Sequence, residues 1–260
     1  MAEPLPAPSQ LLPRAILVEH RFNREKASFP AWFCLSAASL SELEAVRGSF
    51  LGPSDEDYLG QLRFEKRRRT YLLGRFCAKE CLAAFLDQPD RTGFEVIPGV
   101  FGQPVVVGND IQNAQVSISH GEGLAVAVAF RETHPLAVDI EEITPNRTQT
   151  IRSQLSNAEI NLLSKLPGDP DAKAMLAWTA KEALSKVLKT GLMTPMSVYE
   201  IESVDWDSGC HLSVFKSFGQ YKAIGFVAGR FALSIVLPRR SQLACSLIEF
   251  RNSLSHPGAL

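Results

Sequence analysis

Ala180-Lys181-Glu182-Ala183-Leu184-Ser185-Lys186-Val187-Leu188 repeats, at an offset of 102 residues, the pattern of Ala78-Lys79-Glu80-Cys81-Leu82-Ala83-Ala84-Phe85-Leu86, with identity at five of nine positions. Taken at about 100° per residue, Leu176, Ala180, Ala183, Leu184, Val187 and Leu188 form one apolar arc, as in an amphipathic helix docked on a core. Apparent strands follow each copy. They are Phe94 to Ile97, Val116 to Ser119 and Leu124 to Phe130 after the first, then Val198 to Val204, His211 to Phe215, Lys222 to Val227 and Phe231 to Leu237 after the second. Chance agreement between helix-favouring residues and a duplicated helix-and-sheet unit both explain the echo. A junction would fall near Thr133-His134-Pro135.

Directly after that junction, Leu136, Val138 and Ile140 alternate with Ala137, Asp139 and Glu141, so a strand here sends both acids from one face. Their Cα atoms would lie about 6.6 Å apart, close enough for two side chains of unequal length to converge on one hard cation. A solvated edge strand carrying ordinary charge fits the same pattern. On the later helix, Glu182 and Lys186 lie opposite the apolar arc, at a spacing that also suits an exposed ion pair. Trp178 falls on that polar side with Glu182 and Lys189, which predicts a cover of protein or ligand there, a boundary tryptophan being the other explanation.

With 260 residues and 45% hydrophobic content the chain can bury a sizeable core, in one large or two smaller domains. A net charge of −1 argues against a general nucleic-acid binder. The five cysteines are odd in number and lack zinc-like or C-x-x-C spacing, which predicts free thiols in a reducing compartment, with Cys77 and Cys81 as packing residues. Met1 to Pro13 lacks a charged-then-apolar signal pattern and no apolar run reaches about 18 residues, so the expectation is a cytoplasmic protein without membrane contact. Nothing resembles a nucleophile elbow or a phosphate-binding P-loop.

Taken together, these segments resemble the Sfp-type 4′-phosphopantetheinyl transferases. Ala137-Val138-Asp139-Ile140-Glu141 is similar to that family's (G/A)(V/I)D(I/V)E segment, and Trp178 through Lys186 to its W(T/S)xKE(A/S)xxK helix. Val116-Ser117-Ile118-Ser119-His120-Gly121 resembles an N(I/L)SH segment, and Phe101-Gly102-Gln103-Pro104 stands where a G-K-P turn is usual. Leu155-Ser156-Asn157-Ala158-Glu159 resembles an F-S-x-x-E helix start, and reads physically as a capping box. The likeness spans roughly residues 50 to 237.

The resemblance implies an α+β fold: a pseudo-symmetric pair of similar lobes, each a long helix packed on a small antiparallel sheet, with the active site between them. The lobes would span residues 14–134, for coenzyme A phosphate binding, and 135–240, for metal binding and catalysis, leaving 1–13 and 241–260 as variable extensions. It further implies Mg2+-dependent transfer of the 4′-phosphopantetheine arm of coenzyme A to a serine hydroxyl of an apo carrier protein, with release of 3′,5′-ADP. Asp139, Glu141 and Glu182 are then the metal ligands, and Glu182 and Lys186 the catalytic residues. Arg75, Lys79, Gln103, Ser119, His120 and Lys186 would contact coenzyme A. A metal-dependent phosphoesterase and a non-catalytic carrier-binding module are the alternatives. A chain that contains its own pseudo-dimer is expected to be a monomer.

Three departures from the family pattern stand out. Pro53-Ser54-Asp55-Glu56-Asp57 is acidic where the family is often basic, and reads as a helix start. Gln103 replaces the lysine of the G-K-P turn, and Lys189-Thr190-Gly191 is a reduced glycine-rich ending. The run Lys66-Arg67-Arg68-Arg69 is available for the 3′-phosphate, for a carrier, or as a solvated helix face.

Overall fold

The computed structural model describes residues 12–255. A hairpin of β1 (Ile16–Arg24) and β2 (Ala27–Ser36) opens the chain, followed by α1 (Leu40–Val46), α2 (Pro53–Gln61) and the long α3 (Glu65–Leu86). Next come β3 (Phe94–Pro98), β4 (Pro104–Gly108), β5 (Ala114–Gly121), β6 (Leu124–Arg131) and β7 (Ala137–Glu142). Helices α4 (Pro145–Arg152), α5 (Asn157–Ser164) and α6 (Pro170–Val187) precede β8 (Ile201–Asp207), β9 (Cys210–Phe215), β10 (Tyr221–Ala228) and β11 (Phe231–Pro238). The chain closes with β12 (Gln242–Leu243) and α7 (Leu247–Leu254).

Two five-stranded antiparallel sheets result, ordered β12-β1-β2-β6-β5 and β7-β11-β10-β9-β8. Helix α3 packs on β2, β5 and β6, and α6 on β7, β10 and β11, so the echoed segments occupy matching places. The fold is therefore α+β, with two similar helix-on-sheet units.

The two sheets face one another. Strand β6 is buried on both faces because Ala125, Ala127 and Ala129 leave room for α3, while Val126 and Val128 enter an inter-sheet core with Phe33, Val138, Phe226 and Leu233. This shared core packs the two units directly against each other, with β5 and β7 as neighbouring strands at their junction.

Residues 241–255, expected as a terminal extension, complete the first sheet and its core. Leu243 pairs with Phe22 across β12 and β1. Ser246 and Glu249 form a reciprocal capping box that starts α7. Phe250 and Leu254 are fully buried, Phe250 lying edge-on to Phe22, Phe33 and Phe226. The remaining expected extensions, residues 1–11 and 256–260, lie outside the described residues.

Trp178 is covered by the chain itself, packing beside Ile151 of α4 and Ile143, as a boundary residue does. The expected strand from Val198 starts later, at Ile201, because residues 196–199 form a short 3-10 turn. All five cysteines are free, and Cys77 and Cys81 pack in the core beneath α3. Among the described residues no helix is long and apolar enough to cross a membrane.

Candidate active site

Asp139 is 4% exposed on β7. Its Oδ1 accepts from Ser119 Oγ at 2.7 Å and from Lys186 Nζ at 2.7 Å, while Oδ2 is buried without a partner. A buried, half-satisfied carboxylate is costly, and a cation is the usual remedy.

Two further acids share its field. Burial, and then the charge of Asp139, push Glu141 up to about 7. Burial and Asp139 do the same to Glu182, also to about 7, with Glu141 adding to the effect. Paired carboxylates that raise one another in this way compete for protons unless a positive charge joins them. Glu141 has one at hand, Arg147 Nη2 of α4, 2.5 Å from its Oε2. With Glu141 drawn to Arg147, no group of three or more His, Cys, Asp or Glu side chains among the described residues converges to metal-binding distance. The donors are nonetheless hard oxygens of the kind magnesium prefers, and Asp139 Oδ2 is left over for one.

Lys186 does not present a free charge. Its three protons go to Asp139 Oδ1, to Ile118 O of β5 at 3.1 Å and to Val138 O of β7 at 3.1 Å. An ammonium has three donors, so this set is complete. The side chain ties the two sheet edges to the acid between them.

The other expected residues divide between several places. His120, at the end of β5, lines a cleft of about 560 Å³ with Lys66, Arg69, Glu122, Glu141 and Arg147. Removal of water by the cleft walls, and then the Lys186 ammonium, hold the His120 ring below its ordinary pKa. Lys66 is paired with Glu122 at 2.9 Å, and Arg69 donates to the Ala37, Ala38 and Gly123 carbonyls. Gln103 lines a separate, mainly apolar cavity of about 240 Å³ with Ile118, Leu136 and the stem of Lys186. Its amide oxygen turns back to accept Phe101 N–H at 2.9 Å, so it shapes its own turn.

Lys79, expected at a phosphate, is fully buried instead. Its ammonium donates to the Arg91 and Phe94 carbonyls and lies 3.9 Å from the Asp55 carboxylate. Burial lowers its pKa. Arg75, only 14% exposed in its side chain, is likewise committed, with Nε 2.9 Å from Asp55 Oδ1 and the guanidinium 5.1 Å from the Tyr71 ring. The acidic stretch before α3 thus has a purpose in the fold: Asp55 at the start of α2 neutralises two cations of α3.

Two groups escaped the sequence reading. Arg147 carries no pattern beyond being one basic residue on a short helix after Pro145. Lys181, directly before Glu182, is fully buried and bonds both oxygens of Glu159, the same residue that caps α5 with Ser156.

A model of the 4′-phosphopantetheinyl transferase superfamily matches residues 135–236, and one of the 4′-phosphopantetheinyl transferase N-terminal domain matches residues 61–130. The chain belongs to the 4′-phosphopantetheinyl transferase superfamily. Within it, the holo-[acyl-carrier-protein] synthase of Mycoplasma capricolum subsp. capricolum is 32% identical over 71 residues, 27% of this chain and 64% of that protein. The holo-[acyl-carrier-protein] synthase of Acholeplasma laidlawii is 28% identical over 97 residues, 35% of this chain and 82% of that protein. The chain thus spans less than two thirds of the length of the first of these relatives. A crystal structure of a holo-(acyl-carrier-protein) synthase from Bacillus anthracis in complex with CoA (3′,5′-ADP) covers 44% of this chain and 95% of its own, at a TM-score of 0.33 and 19% identity, too low to establish a common architecture. Of the superfamily match, residues 135–236 contain Asp139, Glu141, Glu182 and Lys186, and residues 61–130 contain Ser119 and His120.

Proposed function

We propose that this chain is an Mg2+-dependent transferase that moves the 4′-phosphopantetheine arm of coenzyme A onto a serine hydroxyl of an apo carrier protein and releases 3′,5′-ADP. Residues 14–134 would supply phosphate contacts, and residues 135–240 the acids together with Arg147. What carries this reading is the buried, unpartnered Asp139 Oδ2, whose charge acts on both Glu141 and Glu182, with Glu141 lining a cleft that holds three basic side chains. The family membership and the names of the relatives support it.

Asp139 is oriented by Ser119 and Lys186 to offer one oxygen. Magnesium, when held by Asp139, Glu141 and Glu182, would neutralise the negative charge that builds on the pyrophosphate. His120, Arg69 and Arg147 would orient the coenzyme phosphates, Arg147 leaving Glu141 to do so. Glu182, directly or through a bound water, is the candidate base, and without metal its burial beside Asp139 and Glu141 already raises its proton affinity. It would take the proton of the carrier serine as the serine oxygen bonds to the pantetheine-bearing phosphorus and the pyrophosphate P–O bond breaks.

Mass spectrometry of a panel of apo carriers incubated with the protein, coenzyme A and Mg2+ tests the proposal. The expected result is a mass gain of one phosphopantetheinyl group on at least one carrier, with one 3′,5′-ADP per modification. Hydrolysis of coenzyme A without a carrier would instead identify a phosphoesterase, and tight binding without modification a carrier-binding module.

Stability should report the same acids. Because Glu141 and Glu182 titrate near 7 in the folded protein and near about 4.3 when unfolded, the metal-free fold holds more protons between those values. Their contribution is full below the unfolded pKa and is lost as pH rises through 7. Thermal melts in chelator should therefore show a falling contribution from these groups between acid and neutral pH, flattened in Glu182→Gln. Magnesium should raise the melting temperature little at pH about 5.5 and clearly at about 8, where both acids are ionised. A magnesium effect independent of pH would remove Glu141 and Glu182 from the metal site.

A further inference from the structure

Strands β5 and β7 are the facing edges of the two sheets, yet they belong to separate hydrogen-bonded ladders. Side chains bridge them. Ser117 Oγ accepts the Val138 N–H at 3.2 Å, and Ser119 Oγ accepts the Ile140 N–H at 3.2 Å. Residue numbers rise together across these two rungs, so the strands run parallel, separated by the width of a hydroxyl. Between the rungs Lys186 joins the Ile118 and Val138 carbonyls. Val138 and Ile140 are 0% and 1% exposed, so in the folded protein the serines, not water, satisfy their amides.

From this geometry we infer that Ser117 is a positioning residue for Asp139: it fixes the amide of the preceding residue, and so sets where the bare Oδ2 of the acid stands. Ser119 and Lys186 hold the carboxylate itself, whereas Ser117 touches only the backbone of β7. Its buried hydroxyl, 6% exposed in the residue as a whole, makes that one bond across the strands. Groups that orient a metal-binding carboxylate tune its affinity without contacting the ion. The inference rests on the transferase reading for the reaction it serves, but the placement of Asp139 is testable without any turnover.

The variants are Ser117→Ala, Ser117→Thr and Ser246→Ala, the last removing a serine bond at the α7 N-cap, on an element that packs against β1. Each is titrated with Mg2+ while its melting temperature is followed, and is then assayed for carrier modification. Ser117→Ala should need about tenfold more magnesium for half of the stabilisation, and should lose about tenfold or more in kcat with KM for coenzyme A unchanged. Ser117→Thr, which keeps the hydroxyl, should restore both. Ser246→Ala should lose melting temperature with neither change.

If Ser117→Ala behaves like Ser246→Ala, or raises KM alone, Ser117 does not position the acid. No magnesium stabilisation of the parent protein would overturn the inference as well. A shifted magnesium midpoint in Ser117→Ala, in a parent protein that modifies no carrier, would sustain the positioning role and refute the transferase reading.

Discussion

Asp139→Asn is expected to lower carrier modification by about 10³-fold or more while the protein stays folded, since the change removes the charge at a buried oxygen that has no hydrogen-bond partner. The fold should survive for a geometric reason. Asparagine keeps an acceptor where Ser119 and Lys186 donate, and the Lys186 side chain, 28% exposed, retains access to water. Lys186 also keeps the Ile118 and Val138 carbonyls. The check is the initial rate of holo-carrier formation at saturating coenzyme A and magnesium, beside a thermal melt of the same preparation. Turnover within tenfold of the parent protein, in a folded variant, would show that Asp139 serves only the junction of the strands.

Lys181→Ala should be the most damaging single change to stability among the ion pairs, costing about 3–5 kcal/mol, because it strands a buried carboxylate. The Lys181 and Glu159 side chains are 0% and 1% exposed. Glu159 takes Lys181 Nζ at 2.9 and 3.1 Å, the Ile201 amide at 3.0 Å and the Ser156 amide at 2.8 Å, so one carboxylate gathers α5, α6 and the start of β8. Pairing Lys181→Met with Glu159→Gln should recover part of the loss, since a neutral amide has far less to lose by burial than an ion. Urea denaturation of Lys181→Met, Glu159→Gln and their double closes the cycle. Equal stability of Lys181→Ala and the parent protein would mean that water reaches Glu159.

Legibility in the sequence followed distance along the chain. Asp139 and Glu141 on one strand face, and Glu182 four residues from Lys186, are local patterns, and the echo between Ala78–Leu86 and Ala180–Leu188 gave the two helices matching roles. What the sequence did not show was whatever depended on a distant partner. Arg75 and Lys79 stand one helical turn apart and look like a basic face; only the fold brings Asp55 onto both as an ion-pair partner. Lys186 has the spacing of a phosphate ligand, but its protons are claimed by carbonyls 68 and 48 residues away in the chain. The first hairpin was missed because its turn, Glu25-Lys26, has neither glycine nor asparagine, although Glu25 adopts a positive φ of 57°. In the tail, Ser246 and Glu249 at capping-box spacing, with Leu247, Phe250 and Leu254 on one side, were a signal that could have been read.

That tail has a consequence for dissecting the protein. Because α7 returns to wall the aromatic cluster of Phe22 and Phe33, cutting the chain at the Thr133–Pro135 linker would not yield an autonomous amino-terminal half. Such a fragment would need residues 241–255 supplied in trans or grafted on, and a truncation after Arg240 would damage the half of the molecule farther away in sequence.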